Sequence, residues 1–340
     1  MQTDRIIAFT SGGIGDQLYH FSQLQALAHF HHQKIDLVCR HAKIMAKIVS
    51  GCSWIGSVLD ADPLRHVTKP VFFSAAKALS KERYSHSYVL HRSTSFKLAS
   101  KLAGIPNIIG LPGSFLDQFL LDHLLKDEAL SERRDLWGHR PFIAAIDEYL
   151  LARNLDITGP APIQPDRQIF DKTAARLSSY MRPYTIINLF AQDISRRWAV
   201  PHAIQMLQEF MIDTGGTLFI SAGSDANSWH QAFLSAWPDD LPVPILLQDK
   251  GFSLEQEIVL YHLADHYIGV DSFTANLAIN CDLPALVLFN KKEDSLRYRP
   301  FVYALSPDDG LPIESISLTA FEQAVEGLKH LHDNKKQDIK

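Results

Sequence analysis

Residues 6–16, with the sequence IIAFTSGGIGD, join a short apolar run to a turn rich in glycine. Residues 6–9 are uniformly apolar, as in a buried strand, whereas residues 17–30 carry apolar side chains at helical spacing. The glycines between them permit a sharp turn. A strand, a glycine turn and a helix in this order predict the first repeat of a parallel α/β sheet.

Similar strand-then-helix pairs continue along the chain. We predict further strands at residues 35–39, 87–90, 105–109, 184–190, 217–220, 267–270 and 285–289. The predicted helices of the second half are residues 201–211, 254–264, 272–281 and 320–332. Strands that alternate with helices of about ten to fifteen residues indicate parallel sheets and βαβ crossovers.

A cluster of prolines interrupts this pattern and predicts an interdomain linker at residues 157–166. We therefore predict an N-terminal Rossmann-like domain over residues 1–160 and a C-terminal Rossmann-like domain over residues 167–317. The prediction allows a C-terminal helix at about 318–335 to pack back on the first domain. Two such α/β domains usually bind a ligand in the cleft between them.

The composition narrows the classes of function. With 33 Lys and Arg against 38 Asp and Glu, the 340-residue chain has a net charge of −5, which argues against a general nucleic-acid binder. The three cysteines lie far apart and form no disulfide framework. No segment reaches the roughly 18 apolar residues of a membrane span, and residues 6–9 are too short for the core of a signal peptide. These features predict a cytoplasmic protein.

The glycine turn ends where the N–H groups of the next helix lack partners, so it favours an anion or a polar ligand. The alternative is that Asp16 merely caps this helix. A dinucleotide-binding fingerprint is not met, because Leu18 stands where a third glycine or alanine is needed. The acidic residue expected at the end of the second strand is also missing.

Two further motifs follow predicted strands in the second half. Residues 269–276 place Asp271, Ser272 and Thr274 at the start of a helix, where the helix dipole attracts a phosphate. The alternative is a capping arrangement without a ligand. Residues 193–198 contain an adjacent arginine pair, whose guanidinium groups match the oxygens of a diphosphate. In the same motif we expect Trp198 to pack against the sheet.

The order of these motifs resembles that of the glycosyltransferase family 9 heptosyltransferases, which build the inner core of lipopolysaccharide. The Gly-x-Gly-Asp loop of the family is similar to residues 13–16, and its Lys-Arg-Trp-Pro element to residues 196–199. Residues 223–225 resemble its Gly-x-x-Glu-like turn, and residues 253–255 its Ser-Leu-x-Glu helix start. Residues 271–276 resemble its Asp-Ser/Thr-Gly-x-x-His signature.

This resemblance implies an α/β protein of the GT-B architecture, with two Rossmann-like domains facing an interdomain cleft. It implies an inverting, metal-independent glycosyltransferase that moves heptose from an ADP-heptose donor, a substrate and not a cofactor, to an anionic lipopolysaccharide-type glycan acceptor. Asp16 resembles the general base of the family. The implied residues of the glycine loop are Gly12, Gly13 and Gly15. The implied donor-binding residues are Arg196, Arg197, Asp225, Phe252, Asp271, Ser272, Thr274 and Asn276. Phe252 is expected to stack on the base and Asp225 to contact the ribose.

Departures from the family pattern leave alternatives open. Phe273 replaces the glycine of the last signature, Asn276 replaces its histidine, and Ala199 replaces the proline of the arginine element. A related transferase with another nucleotide-sugar is one alternative, and a noncatalytic glycan-binding GT-B protein is another. A sugar-nucleotide epimerase would need an additional acid-base set that the sequence does not show.

Residues 65–101 contain eight basic residues and one acidic residue, Glu82. Such a basic face would attract an anionic glycan acceptor, or rest on an anionic membrane surface as a peripheral contact. The alternative is a set of separate solvated helix faces. His91 and Arg92 near a strand end are candidates for the acceptor side. The sixteen histidines include no HExxH spacing, and we expect no metal site and no nucleic-acid partner.

Overall fold

The structure, a computed structural model, describes residues 5–125, 149–155, 162–221, 227–290, 301–308 and 311–338. Its contacts divide the chain into two compact units, Met1–Ile163 and Gln164–Lys340. The division falls inside the proline-containing stretch 157–166.

The N-terminal unit alternates strands with helices from its first described residue. Its strands are β1 (Arg5–Phe9), β2 (Ile35–Cys39), β3 (Ile55–Asp60), β4 (Tyr84–Val89), β5 (Asn107–Gly110) and β6 (His123–Leu124). Its helices are α1 (Ile14–Leu18), α2 (Phe21–His31), α3 (Ala42–Ile48), α4 (Pro70–Ser80), α5 (Thr94–Leu102) and α6 (Asp117–Leu120).

The C-terminal unit repeats this alternation. Its strands are β7 (Tyr184–Asn188), β8 (Thr217–Ile220), β9 (Ile245–Leu246), β10 (His266–Val270), β11 (Ala285–Leu288) and β12 (Val302–Leu305). Its helices are α7 (Arg167–Leu177), α8 (Val200–Thr214), α9 (Asn227–Ala236), α10 (Leu254–Leu263), α11 (Phe273–Asn280) and α12 (Leu318–Asp338).

Each unit contains one sheet, in which all described strand pairs are parallel. The strand order is β3-β2-β1-β4-β5-β6 in the first unit and β12-β11-β10-β7-β8-β9 in the second. The order therefore reverses between β1 and β4, and between β10 and β7. At such a switch point the connections diverge at the carboxyl ends of the strands and leave a crevice that binds ligands. The predicted α/β, Rossmann-like fold class is confirmed.

The core of each unit explains why the central strands are apolar along their whole length. Helices cover both faces of a parallel sheet, so every side chain of such a strand is buried. In the first unit Phe9 stacks on Phe96, with ring centroids 5.4 Å apart. In the second unit Trp198 is buried beside Phe321 of α12, as expected for this tryptophan. The buried side chains of α12 thus belong to the core of the second unit.

The predicted single helix over residues 17–30 is wrong, because two helices occupy this stretch. His20 lies between α1 and α2, and its N–H donates to the carbonyl oxygen of Gln17, three residues earlier, at 3.3 Å, as in a turn. Apolar spacing does not reveal this break, because Leu18, Phe21 and Leu24 all remain buried.

The sequence pattern misses the four edge strands of the two sheets, β3, β6, β9 and β12. In β3, β6 and β12 most side chains are partly or fully exposed. Such strands lack the continuous apolar run that identifies a central strand. Within the part of the chain that the structure describes, no helix is both long and apolar enough to cross a membrane.

Candidate functional site

The glycine turn lies at the carboxyl end of β1, beside the switch point of the first sheet. Gly12 has φ +106°, and a Cβ atom at this position would lie 2.7 Å from Oδ2 of Asp16. Both the backbone angle and this close approach require glycine. Gly13 begins α1 as its N-cap, and Gly15 lies within the helix. The turn thus brings the backbone against the Asp16 carboxylate.

Asp16 is half-buried and caps its own helix. Its Oδ2 accepts a hydrogen bond of 2.7 Å from the N–H of Gly13. The capping role that the sequence left open is therefore present, and it fixes the direction of the carboxylate. The assignment of Asp16 as a general base stays a prediction.

The side chain of Gln17 holds the glycine turn through hydrogen bonds, a role that the sequence analysis missed. Its Nε2 donates to the carbonyl oxygens of Gly13 and Arg40, each at 3.2 Å. Its Oε1 accepts from the hydroxyl of Thr10 at 3.1 Å. Gln17 is fully buried. A long polar side chain at the first buried position of the helix is the sequence signal that could have identified it.

His91 and Arg92, the predicted acceptor-side pair, follow β4, which is the neighbour of β1 across the switch point. Nδ1 of His91 accepts from the N–H of Ser93 at 3.1 Å, so this ring is held by its own loop. The side chain of Arg92 is exposed. The topology therefore places both residues at the same end of the sheet as the glycine turn.

A buried ion pair joins α5 and α6, the helices that follow β4 and β5. Nζ of Lys97 donates to Oδ2 of Asp117 at 2.6 Å, and both side chains are fully buried. The same Oδ2 accepts from the N–H groups of Gly113 at 2.5 Å and Ser114 at 2.9 Å. Burial acts to raise the pKa of Asp117, but these hydrogen bonds hold it below its ordinary value. Burial lowers the pKa of Lys97.

At the switch point of the second sheet, Asn188 organises the end of β7. Its Nδ2 donates to the hydroxyl oxygens of Ser272 at 3.1 Å and Thr274 at 2.6 Å. Its Oδ1 accepts from the N–H of Phe190 at 2.9 Å. Thr274 also pairs with the hydroxyl of Tyr267 at 2.9 Å. The sequence analysis missed this role of Asn188.

At the N-terminus of α11, Ser272 does not fill the capping role that the sequence allowed as an alternative. Ser272 is the N-cap residue, yet its side chain makes no cap hydrogen bond. Its hydroxyl pairs with that of Thr274 at 2.8 Å and accepts from Asn188. Backbone N–H groups at such a helix start favour an anion, as does the positive end of the helix dipole.

Arg196 lies against this helix start. Its Nη1 donates to the backbone oxygen of Asp271 at 3.2 Å and to the Asp271 carboxylate at 3.3 Å. Its Nε is buried without a hydrogen-bond partner in the described part of the chain and lies 3.8 Å from a carboxylate oxygen of Asp193. By contrast, Arg197 donates to the backbone oxygen of Ala191 at 2.7 Å and covers the ring of Phe190. Arg196 is therefore the better placed of the two arginines for a ligand.

Asn276 holds a second buried polar atom. Its Nδ2 donates to the backbone oxygen of Ser272 at 3.0 Å. Its Oδ1 is buried and accepts no hydrogen bond from any described residue. A buried acceptor without a donor is costly, so a ligand hydroxyl at this point would be favourable. Phe273, the other departure from the family signature, is partly exposed one turn earlier on α11.

The remaining donor-binding predictions lie elsewhere or cannot be placed. The ring of Phe252 is buried, and the guanidinium of Arg176 lies 3.9 Å from its centroid, so one face is already covered. Asp225 lies outside the described residues. The structure thus brings together Arg196 and the residues at the start of α11, but not Phe252.

Glu257 is a further acidic residue near the carboxyl end of the second sheet. It lies on the first turn of α10, and its Oε2 accepts from the hydroxyl of Ser221 at 2.9 Å, directly after β8. The hydroxyl of Tyr261 donates to Ser221 at 3.1 Å. Burial raises the pKa of Glu257 to about 7, against the opposing effect of the Ser221 hydrogen bond. Among the described residues, no three His, Cys, Asp or Glu side chains form a cluster that could hold a metal ion.

Comparison with solved structures identifies the fold. ADP-heptose lipopolysaccharide heptosyltransferase II from E. coli is 16% identical, with a TM-score of 0.73 over 97% of this chain and 99% of that chain. A glycosyltransferase family 9 protein from Veillonella parvula DSM 2008 is 13% identical, with a TM-score of 0.73 over 96% and 98%. E. coli heptosyltransferase WaaC, solved with ADP-2-deoxy-2-fluoro heptose, is 15% identical, with a TM-score of 0.66 over 95% and 99%.

These likenesses extend over both units and agree with the GT-B fold class that the sequence resemblance implies. No protein-family model matches the chain. No curated protein matches it either.

Proposed function

We propose that this protein is a glycosyltransferase that transfers heptose from an ADP-heptose donor to an anionic glycan acceptor of the lipopolysaccharide type. The fold is shared with two E. coli heptosyltransferases, one of them solved with an ADP-heptose analogue. The order of the motifs in the sequence supports the same function independently. In the second unit, Arg196 and the start of α11 lie at the switch point, and both favour a diphosphate.

The observation that carries the donor assignment is the pairing of Arg196 with an uncapped helix start. A diphosphate here would accept from the buried Nε of Arg196 and from the N–H groups of α11. Asp271 holds the other side of the guanidinium, so the arginine is fixed before the ligand arrives. When the glycosidic bond breaks, the same groups would stabilise the charge on the leaving nucleoside diphosphate.

The sugar is assigned to the region of Asn276. The unused Oδ1 of this residue would accept a hydrogen bond from a sugar hydroxyl. The family signature has histidine here and glycine at Phe273, so these two side chains would make the sugar site of this chain different from that of the family. These two residues favour, as the second candidate, a related transfer from another nucleotide-sugar.

In the first unit, Asp16 is proposed as the general base of an inverting transfer. Its carboxylate would take the proton of the acceptor hydroxyl while that oxygen attacks the anomeric carbon of the donor sugar. The bond to the diphosphate breaks as the new glycosidic bond forms. Since Gly13 and the geometry of Gly12 fix the direction of the carboxylate, little reorganisation would be needed.

The acceptor is assigned to the basic side of the first unit. Seven of the eight basic side chains in residues 65–101 are exposed, and the eighth is the buried Lys97. Arg92 follows β4 at the switch point, close in the topology to the glycine turn. An anionic glycan, or the anionic membrane surface that would carry it, suits this charge.

A thermal-shift panel tests the donor assignment directly. A ligand that binds only the native protein raises the free energy of unfolding by about 2.7 kcal/mol when its concentration is a hundredfold above its Kd. We expect ADP and ADP-heptose to raise the Tm, and Arg196→Ala to reduce the shift. A shift with UDP-linked or GDP-linked sugars instead would select the second candidate. No shift with any nucleotide, together with a shift from glycans alone, would support a noncatalytic glycan-binding protein.

A further inference from the structure

Three large apolar side chains within one short segment of the first unit are exposed to solvent. Phe115, Leu116 and Phe119 are 77%, 61% and 66% exposed, and together they form what we call the Phe115 patch. The rings of Phe115 and Phe119 contact each other edge to face, with centroids 5.8 Å apart. The segment follows β5 at the carboxyl end of the sheet, and α6 carries Phe119.

The segment under the Phe115 patch is anchored, so its exposure is a property of the fold. The carboxylate of Asp117 lies beneath the patch and accepts from Lys97, Gly113 and Ser114. The hydroxyls of Thr94 and Ser114 are also paired, at 3.1 Å. These three hydrogen bonds to one carboxylate oxygen, Oδ2, stabilise the buried ion pair. The fold therefore holds this turn in place and directs its apolar side chains outward.

Basic side chains flank the patch. Gly113 packs against the backbone and Cβ of Arg92, whose side chain is exposed. The helix α4 packs on α5, and α5 packs on α6. On α4, Val71, Phe73 and Lys77 are exposed, as is Lys69 directly before the helix. Residues 66–81 contain no acidic residue. Apolar and basic side chains therefore share one side of the unit, in a chain whose net charge is −5.

We propose that the Phe115 patch and the basic surface beside it dock the first unit onto an anionic lipid bilayer. Exposed aromatic and aliphatic side chains enter the boundary between headgroups and acyl chains, while flanking lysines and arginines meet anionic headgroups. The apolar side chains project from a short turn and do not line a groove, which suits a bilayer. The proposal adds a site to the peripheral contact proposed above and does not depend on the transferase activity.

Vesicle flotation of the full chain tests this docking surface. We expect binding to vesicles of 70% phosphatidylcholine and 30% phosphatidylglycerol, and at least tenfold weaker binding to phosphatidylcholine alone. The variant F115S/L116S/F119S should bind the anionic vesicles at least tenfold more weakly. K69Q/K77Q should lower the preference for anionic vesicles.

A matched control is available on the second unit, where Met181 and Val243 are 61% and 71% exposed. M181S/V243S should bind the vesicles as the unchanged protein does. Equal binding by the control and the patch variant would overturn the proposal, as would absence of binding to anionic vesicles. If the protein forms a dimer in solution and F115S/L116S/F119S dissociates it, the proposal is also overturned, because a second copy of the chain would then cover the patch.

A second measurement keeps the proposal testable if the triple variant fails to fold. A tryptophan introduced by Phe115→Trp should be quenched by brominated lipids in anionic vesicles, whereas one introduced by Val243→Trp should not. Equal quenching at both positions would contradict docking through this patch. The ADP-induced rise in Tm, measured on the same samples, reports the donor site separately, so failure of one proposal is distinguishable from failure of the other.

Discussion

Asp16 and Ser272 both stand at the start of a helix that follows a central strand, and the sequence allows a capping role for each. In the structure only one of the two side chains forms a capping hydrogen bond. Asp16 accepts from the N–H of Gly13 and caps its helix, whereas the side chain of Ser272 leaves α11 uncapped. The difference depends on Asn188, which engages the Ser272 hydroxyl from the neighbouring strand. A contact between residues this far apart in sequence leaves no local pattern.

Asn188 gives a direct test of this organisation. Asn188→Ala removes the donors to Ser272 and Thr274 and leaves the N–H of Phe190 without its acceptor. We expect a loss of about 1–3 kcal/mol in the free energy of unfolding, measured in urea, and weaker ADP binding. Thr185→Val is the matched control in the same strand, because the Thr185 hydroxyl is buried without a partner among the described residues. If both variants lost equal stability, the assigned role of Asn188 would be wrong.

The raised pKa of Glu257 predicts that the free energy of unfolding depends on pH. Burial raises its pKa to about 7 in the folded chain from an ordinary 4.5, so the folded state holds a proton that the unfolded state releases. Its contribution to stability is therefore present below pH 4.5 and is lost as the pH rises through 7. Relative to Glu257→Gln, the unchanged protein should lose up to about 3 kcal/mol over this interval. Urea unfolding of both proteins from pH 5 to pH 8 measures the difference, and a constant difference would contradict the assignment.

Among the elements, the glycine turn after β1 is the part of the candidate site that the sequence defines best. Three glycines and a carboxylate within five residues identify both the turn and its position after a strand. The brace from Gln17 to Thr10 and Arg40 escapes prediction, because it joins two strand ends. Similarly, the break between α1 and α2 is invisible to hydrophobic spacing, because the buried face continues across it.

Gly12 tests whether this turn is built around Asp16. Gly12→Ala introduces strain at φ +106° and places Cβ 2.7 Å from the Asp16 carboxylate. Gly104→Ala is the matched control, since Gly104 has φ +72° with no atom within 4 Å of the added Cβ. We expect the control to lose about 1–2 kcal/mol for backbone strain alone, and Gly12→Ala to lose more, together with transferase activity. Equal losses and retained activity in both variants would show that Asp16 needs no such support.

For the whole molecule, the central strands and the α/β fold class could be predicted from the sequence because helices cover both faces of each sheet. The outer strands could not, because their exposed faces interrupt the apolar run. The candidate site was predicted where a motif is local, as at residues 13–16 and 271–276. It was missed where the fold assembles it, as at Asn188 and Glu257. Both arginines of the pair were predicted as donor-binding candidates, but their contacts differ. Arg196 donates to Asp271, whereas Arg197 donates to a backbone oxygen of its own loop.

We propose that the second unit holds a nucleotide diphosphate through Arg196 and that Asp16 of the first unit removes a proton from the acceptor. Calorimetric titration of ADP, combined with transfer from ADP-heptose to an inner-core acceptor, measures both parts. We predict that Arg196→Ala weakens ADP binding by about ten- to a hundredfold. Asp16→Asn should leave ADP affinity unchanged and lower the transfer rate by about 10²–10⁴-fold. Loss of ADP binding in Asp16→Asn, or unchanged ADP binding in Arg196→Ala, would contradict the account.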